Sequence, residues 1–340
     1  MSSLSKQSWI IIGTVAAVGA AGLAAVTYWY CSRRKRSRAS RPEDFTMPVA
    51  IVEQLWLYPL KSAHRLEVNE IECLARGFKN DRCWVVTDKD GRIVYQSKAP
   101  VLATVLPLVE ENGKNPTLVL NAPGMEAITI EPPSADNPAP VSSVQLFNMT
   151  GEAYDVGDAA ADWISRLTGI EGCRIKYMSP DQKPRKLVDH HKYSDICQPK
   201  DETSFAQFAP VFIASQSSLN KLNAKLAQPV PMTRFRPNII ISGCPPHEED
   251  CWSEIKIGDS CILRGITPGQ RCVVTTVDQE LGVKSSDGEP LKTLRTYRSY
   301  EQVYGVENSR YAGGGPLFGA DYGIIAPGNI KVGDRVYIKQ

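Results

Sequence analysis

The sequence predicts a mainly β (α+β) protein in which an N-terminal transmembrane helix precedes a β-barrel-centred fold with a β-rich N-terminal unit. Three observations carry that expectation. Short β-branched runs punctuated by Gly, Pro and Asn recur from Val49 to the end of the chain, the spacing of antiparallel strands and turns. Helical periodicity is confined to a few short stretches, which argues against a doubly wound α/β sheet. Residues 9–30 are uncharged and rich in Ile, Val, Ala and Gly, and at about 1.5 Å per residue they are long enough to span a bilayer.

The apolar run has the flanks of an anchor. Trp9 at one end and Tyr28, Trp29 and Tyr30 at the other suit the membrane interfaces. The run is longer than a signal-peptide core and is closed by Arg33, Arg34, Lys35, Arg36 and Arg38 instead of a cleavage site. Only Lys6 lies upstream, so the positive-inside rule puts the C-terminal bulk in the cytosol as a single-pass protein. Residues 1–48 hold seven Lys/Arg and two Asp/Glu, while the whole chain is +2, which leaves the folded part at −3. The basic arm favours anionic lipid, and the folded part has no nucleic-acid signature. Nine cysteines, an odd number without a C-x-x-C pair, read as reduced thiols.

This gives an anchor and basic linker over 1–48, a first β domain over 49–180 and a second over 181–340. Strands are expected at 50–58, 82–87 and 93–95, the last two flanking an Asp88-Lys-Asp-Gly91 hairpin turn. Further strands follow at 103–109, 118–120 and 128–130, and 132–140 reads as a surface loop. A helix over 157–169 would start on Asp158 as N-cap and stop at Gly169, before a strand at 174–178. The polar, Lys-rich stretch 179–208 connects the two halves. Beyond it lie a strand at 211–214, an amphipathic helix at 217–226 and a buried strand at 238–242. Gly258-Asp259 and Gly333-Asp334 turns each lead into a strand, and 290–300 reads as a helix with Pro290 in its first turn.

Four clusters carry candidate chemistry. Lys61 and Ser62 follow the first strand, Arg82 opens another, and Arg236 and Asn238 bracket a proline just before a third. The fourth is Gln270-Arg271-Cys272, delivered by a Pro-Gly turn onto a β-branched run. A strand over 273–277 would place Cys272, Val274 and Thr276 on one face and Arg271 on the other. A thiol beside a fixed guanidinium can be held as thiolate, the form that attacks and binds metals, although buried inert cysteines are commoner. The cations Lys61, Arg82, Arg236 and Arg271, with short polar groups between them, suit a small anionic ligand bearing phosphate. Solvated or ion-paired arginines at strand ends are the ordinary alternative. The spacing Cys244-x-x-His247-x-x-x-Cys251 is nearly zinc-like but lacks a fourth ligand. His190-His191 could partner Cys272 in a Cys-His hydrolase, without an identifiable orienting residue. Gly313-Gly-Gly315 is not a P-loop.

These residues carry a resemblance. Leu55-Trp-Leu-Tyr-Pro-Leu-Lys-Ser62, Asp81-Arg-Cys-Trp84, Phe235-Arg-Pro-Asn-Ile-Ile-Ile-Ser-Gly243 and Arg271-Cys-Val-Val-Thr-Thr-Val-Asp278, closed by Pro316-Leu-Phe-Gly319 and Ile330-Lys-Val-Gly-Asp334, resemble the MOSC-domain family. Within it they are most similar to the mitochondrial amidoxime-reducing group. The resemblance covers roughly 50–340 and implies a molybdenum–molybdopterin cofactor, with Cys272 as metal ligand and catalytic residue. It implies cofactor contacts at Lys61, Ser62, Arg82, Phe208, Ala209, Arg236, Asn238, Gln270, Arg271 and Asp321. Four of these positions depart from the family pattern: Phe208-Ala209 replaces Thr-Ser, Gln270 replaces serine, and Asp321 stands at a tyrosine whose counterpart is shifted to Tyr322. The implied activity is reduction of amidoximes and hydroxylamines, with electrons from cytochrome b5 and its NADH-dependent reductase at the mitochondrial outer membrane. A basic loop, Lys183-Pro-Arg185-Lys186, is a candidate docking point for an acidic donor. A cofactor carrier related to cofactor sulfurases is the alternative, although the chain has no pyridoxal-phosphate domain.

Overall fold

The computed structural model describes residues 40–111, 115–133, 138–146, 149–190, 192–305 and 314–339. The expected span at 9–30 lies outside them, and among the described residues no helix is long and apolar enough to cross a membrane.

A closed barrel of seven strands forms the centre. Around it run Val211–Ser215, Leu317–Ala326, Cys261–Gln270, Glu254–Ile257, Arg335–Lys339, Phe45–Leu57 and Ile239–Ser242, which pairs back onto Val211–Ser215. All neighbours are antiparallel except that last pair, which is parallel. A parallel pair needs a crossover connection, and the helix Gln216–Asn223 supplies it. Its Ser215 N-cap accepts the Ser218 N–H.

Strict alternation along the strands separates inside from outside. Val211, Ile213, Ile239, Ile241, Ala320 and Tyr322 fill the barrel with Val52, Ile255 and Leu263. The intervening Phe212, Ala214, Ile240 and Phe318 face outward and pack with Trp56, Tyr58 and Phe235 against the crossover helix. The site described below sits on this outer wall.

Phe45–Leu57 is a barrel strand, so the barrel reaches across the boundary drawn at residue 180. The remaining N-terminal chain forms a four-stranded sheet of Trp84–Thr87, Arg174–Tyr177, Met149–Asp155 and Val141–Leu146 and a three-stranded sheet of Leu106–Glu110, Thr117–Asn121 and Ile128–Ile130. The helix Asp158–Thr168 buries Ala160, Trp163 and Ile164 in this second core. The hairpin of Val141–Leu146 and Met149–Asp155 was not anticipated, because Ser142, Ser143 and Gln145 dilute its apolar signal.

Four expectations are corrected. Residues 273–277 are not a strand: Val273–Thr276 is a 3-10 turn. The Thr275 and Thr276 hydroxyls donate to the Cys272 and Val273 carbonyls at 2.9 and 2.8 Å, bonds that compete with a sheet ladder. Pro268-Gly269 is no turn but lies inside Cys261–Gln270, where register irregularities on either side absorb the missing proline N–H. The N-cap of the first helix is Gly157, leaving Asp158 inside the helix to accept from Arg174 at 2.9 Å. The helix expected over 290–300 is two, Leu291–Arg295 and Tyr300–Tyr304, the second opened by a Ser299/Gln302 capping box.

Candidate active site

Three of the five non-glycine residues with left-handed φ among those described are Ser62 at 73°, Arg82 at 50° and Arg236 at 57°. Such conformations cost free energy in side-chain-bearing residues and cluster where function fixes the backbone. All three are among the candidate site residues that the sequence offers. The fold brings them together across segments far apart in sequence.

Arg82 and Arg236 both stack on the Tyr58 ring, with guanidinium carbons 4.6 and 4.2 Å from its centroid. Arg82 pairs with Asp81 and donates to Asn238 Oδ1 at 3.0 Å and to the Arg236 carbonyl at 3.2 Å. Asn238 Nδ2 donates to the Trp56 carbonyl at 3.2 Å, which ties this corner to the first barrel strand. Arg236 Nη1 donates to Gln279 Oε1 at 2.8 Å. Gln279 in turn accepts from Gln96 at 2.9 Å, and Gln96 donates to the Ser62 carbonyl at 2.7 Å. A single buried network thus joins the Ser62, Arg236 and Cys272 segments through two glutamines that carried no motif. Arg236 Nη2 is buried and has no partner.

Lys61 is buried, its Nζ donating to the Phe205 carbonyl at 2.8 Å. Burial, reinforced by Arg82, Arg185 and Arg236, holds its pKa well below the usual lysine value. Burial likewise pushes Arg236 and Arg185 down to about 10. Arg185, in the basic loop that the sequence offers as a docking point, is buried and donates to the Ser204 and Ala206 carbonyls at 3.0 Å, on either side of the carbonyl that holds Lys61.

Cys272 is the exposed member of the eight described cysteines; the others are buried or half-buried. It lines a cleft of about 910 Å³ together with Gln270, Arg271, Gln207 and Gly315. Arg271 lies over the Phe212 ring at 4.0 Å and donates to the Phe235 carbonyl at 3.3 Å. Glycine is required at two contacts here. A Cβ on Gly315 would fall 2.3 Å from the Arg271 carbonyl oxygen, and one on Gly269 would fall 2.6 Å from Arg271 Nη2. Asp321 stands behind Arg271, its carboxyl pushed up to about 6 by burial against the pull of Arg271 and Arg82.

Other candidates lie elsewhere. Phe208 and Ala209 belong to a small apolar cluster with Leu187 and Ile266, and the Phe208 ring packs on Tyr193 at 4.7 Å and His190 at 5.5 Å. His190 is therefore engaged away from the lining of the Cys272 cleft, and His191 lies outside the described residues. Cys244 is buried, and among the described residues no three His, Cys, Asp or Glu side chains are grouped to hold a metal.

Two family models match the chain: the MOSC N-terminal beta barrel domain over residues 49–171 and the MOSC domain over 200–337. Human mitochondrial amidoxime-reducing component 1 is 34% identical, covering 98% of this chain and 94% of its own length. The mouse protein of that name is also 34% identical, over 98% and 93%. Human mitochondrial amidoxime reducing component 2 is 30% identical over 94% and 92%. The chain belongs to the MOSC-domain family of amidoxime-reducing components.

The strained corner spans both family segments, and the cleft residues Arg271 and Cys272 lie in the second. Lys61, Ser62 and Arg82 lie in the segment matched by the MOSC N-terminal model, and Arg236, Asn238, Arg271 and Cys272 in the MOSC segment. Within this MOSC-family chain the site is assembled from both.

Proposed function

We propose that the chain is a molybdenum-cofactor reductase of N-hydroxylated compounds. The observation that carries the reading is the exposed Cys272 thiol at a cleft lined by Arg271, whose guanidinium donates to the Phe235 carbonyl beside the strained Arg236 corner. The residues fit a phosphate-bearing pterin that carries a metal: the cations would hold the phosphate and the thiolate would ligate the metal. The partnerless Nη2 of Arg236 and the depressed pKa of Lys61 are both relieved by an anion. A soft thiolate suits a thiophilic metal.

In this reading Cys272 ligates the metal, while Lys61, Arg82, Arg236 and Arg271 hold the anionic pterin with Ser62, Asn238 and Gln270. Asp321 backs Arg271, while Phe208 and Ala209, packed in their own apolar cluster, are given no contact with the group. The bound group supplies two-electron oxygen-removal chemistry. The protein binds and orients the N-hydroxylated substrate beside Cys272, and the reaction balances as R–NHOH plus two electrons and two protons giving R–NH2 and water. Electrons come from cytochrome b5 and its NADH-dependent reductase. The relatives' mitochondrial names and the apolar run over 9–30 with its basic flank support a single-pass location in the mitochondrial outer membrane, with the folded part in the cytosol.

The test uses the full chain from a host that makes the pterin, assayed for benzamidoxime reduction with cytochrome b5, its reductase and NADH. Turnover that disappears in Cys272→Ala supports the reading. A molybdenum-loaded chain that fails to reduce any N-hydroxylated compound would instead indicate a carrier.

A further inference from the structure

Beyond Cys272 the cleft opens between a loop that presents Lys284, Ser285 and Ser286 and the short helix Leu291–Arg295. This outer wall differs in kind from the rear of the site. Its lining includes Lys284 and Arg295, and among the described residues no carboxylate lines the cleft. Both side chains are exposed, and neither makes an ion pair or hydrogen bond among the described residues. The acidic groups of this region are turned to other partners. Asp278 pairs with Arg234 at 2.9 Å, Asp287 accepts the Ser285 hydroxyl and the Glu289 N–H, and Glu289 accepts from the Thr293 N–H and hydroxyl at 2.9 and 3.0 Å.

From this lining we infer that the cleft selects N-hydroxylated substrates bearing a carboxylate or other anionic group remote from the N–OH, held by Lys284 and Arg295. The assignment rests on the reductase reading for its chemistry and on the lining for its charge. Lys284 and Arg295 line the same cleft as Cys272, so a substrate whose N–OH lies beside Cys272 can present a remote anion to them. Exposed, unpaired cations attract an anion modestly, and salt weakens that attraction. Each cation contributes roughly a fivefold preference at low salt.

The holoenzyme is tested with cytochrome b5, its reductase and NADH on three probes: benzamidoxime, its para-carboxylate and its para-trimethylammonium derivative. The expected order of kcat/KM is anion over neutral over cation, carried by KM and compressed at high salt. In the Lys284→Glu/Arg295→Glu variant the order reverses while molybdenum per chain stays at the parent value. Equal kcat/KM for the three probes in the parent overturns the inference. So does loss of molybdenum in the variant, which would assign the two cations to the cofactor phosphate. A rise in the KM for cytochrome b5 with equal losses on all probes would assign them to the donor and overturn it as well. Binding of para-carboxybenzamide against benzamide, followed by saturation-transfer NMR, decides the charge preference independently. If the loaded parent reduces no benzamidoxime, the reductase reading fails while this binding ratio still supports or overturns the anion site.

Discussion

The rear of the site and its outer wall are both cationic, but they are built in opposite ways. At the rear, Lys61, Arg82 and Arg236 are fixed by hydrogen bonds and by stacking on Tyr58, and two of the three sit on left-handed backbone. On the outer wall, Lys284 and Arg295 are solvated and unpaired. Burial without a full set of counter-charges destabilises a protein that lacks its ligand, so in the proposed reading the rear serves one permanent anion at the expense of apo stability. The outer wall carries no such cost and suits an occupant that comes and goes.

The largest effect should come from the residue where the two regions meet. Cys272→Ala is expected to reduce benzamidoxime turnover at least about a hundredfold, with circular dichroism unchanged because the thiol is exposed and packs in no core. Gly315→Ala comes next, since its Cβ would meet the Arg271 carbonyl at 2.3 Å. Overpacking of this kind costs about 1–3 kcal/mol, and the displaced Arg271 should lower cofactor content as well as the melting temperature. An unchanged melting temperature would show that the 314–315 segment shifts freely.

Lys61→Met sharpens the comparison by separating function from stability. A buried lysine with a depressed pKa destabilises the folded state most at low pH, and that penalty fades as pH rises toward the ordinary lysine value. The apo variant should therefore melt roughly 3–6 °C higher than the parent at pH 7, with the gap narrowing at pH 10, while molybdenum content falls. A lower melting temperature at pH 7 would mean the Lys61–Phe205 bond outweighs the cost of burying the charge.

The smallest effect is expected at Asp321. Its carboxyl is raised from 3.8 to about 6, so the folded state binds the proton more tightly than the unfolded chain. Stability of the apo protein should fall as pH rises from about 4 to 6 and stay lower above that window. Asp321→Asn should abolish this component and raise the melting temperature by roughly 2–4 °C at pH 7 but not at pH 4. Equal shifts at both pH values would exclude the titration as the cause.

The barrel strands were legible because Val211–Ser215 and Ile239–Ser242 are buried on both faces and read in the sequence as short, unbroken apolar runs bounded by polar and turn residues. The turn after Cys272 was not. Val273, Val274, Thr275 and Thr276 have strong strand preference, yet the threonine hydroxyls bond back to carbonyls three residues earlier. Among site residues, the charged ones and Asn238 could be named in advance because arginine, lysine and cysteine carry distinctive chemistry. Gln96 and Gln279 could not, since an amide acquires its role only when the fold brings a partner from 183 residues away. Arg185 was misplaced for the complementary reason: a Lys/Arg-rich loop reads as solvated, and only tertiary contacts turn one member inward.

The most direct test of the central claim is molybdenum and pterin per chain, measured on the full chain and on Arg236→Gln, each purified from a cofactor-producing host. If the rear cations hold the pterin, the parent should contain close to one of each, and the variant should lose both while remaining folded. A parent devoid of both, or an Arg236→Gln variant loaded like the parent, would contradict it.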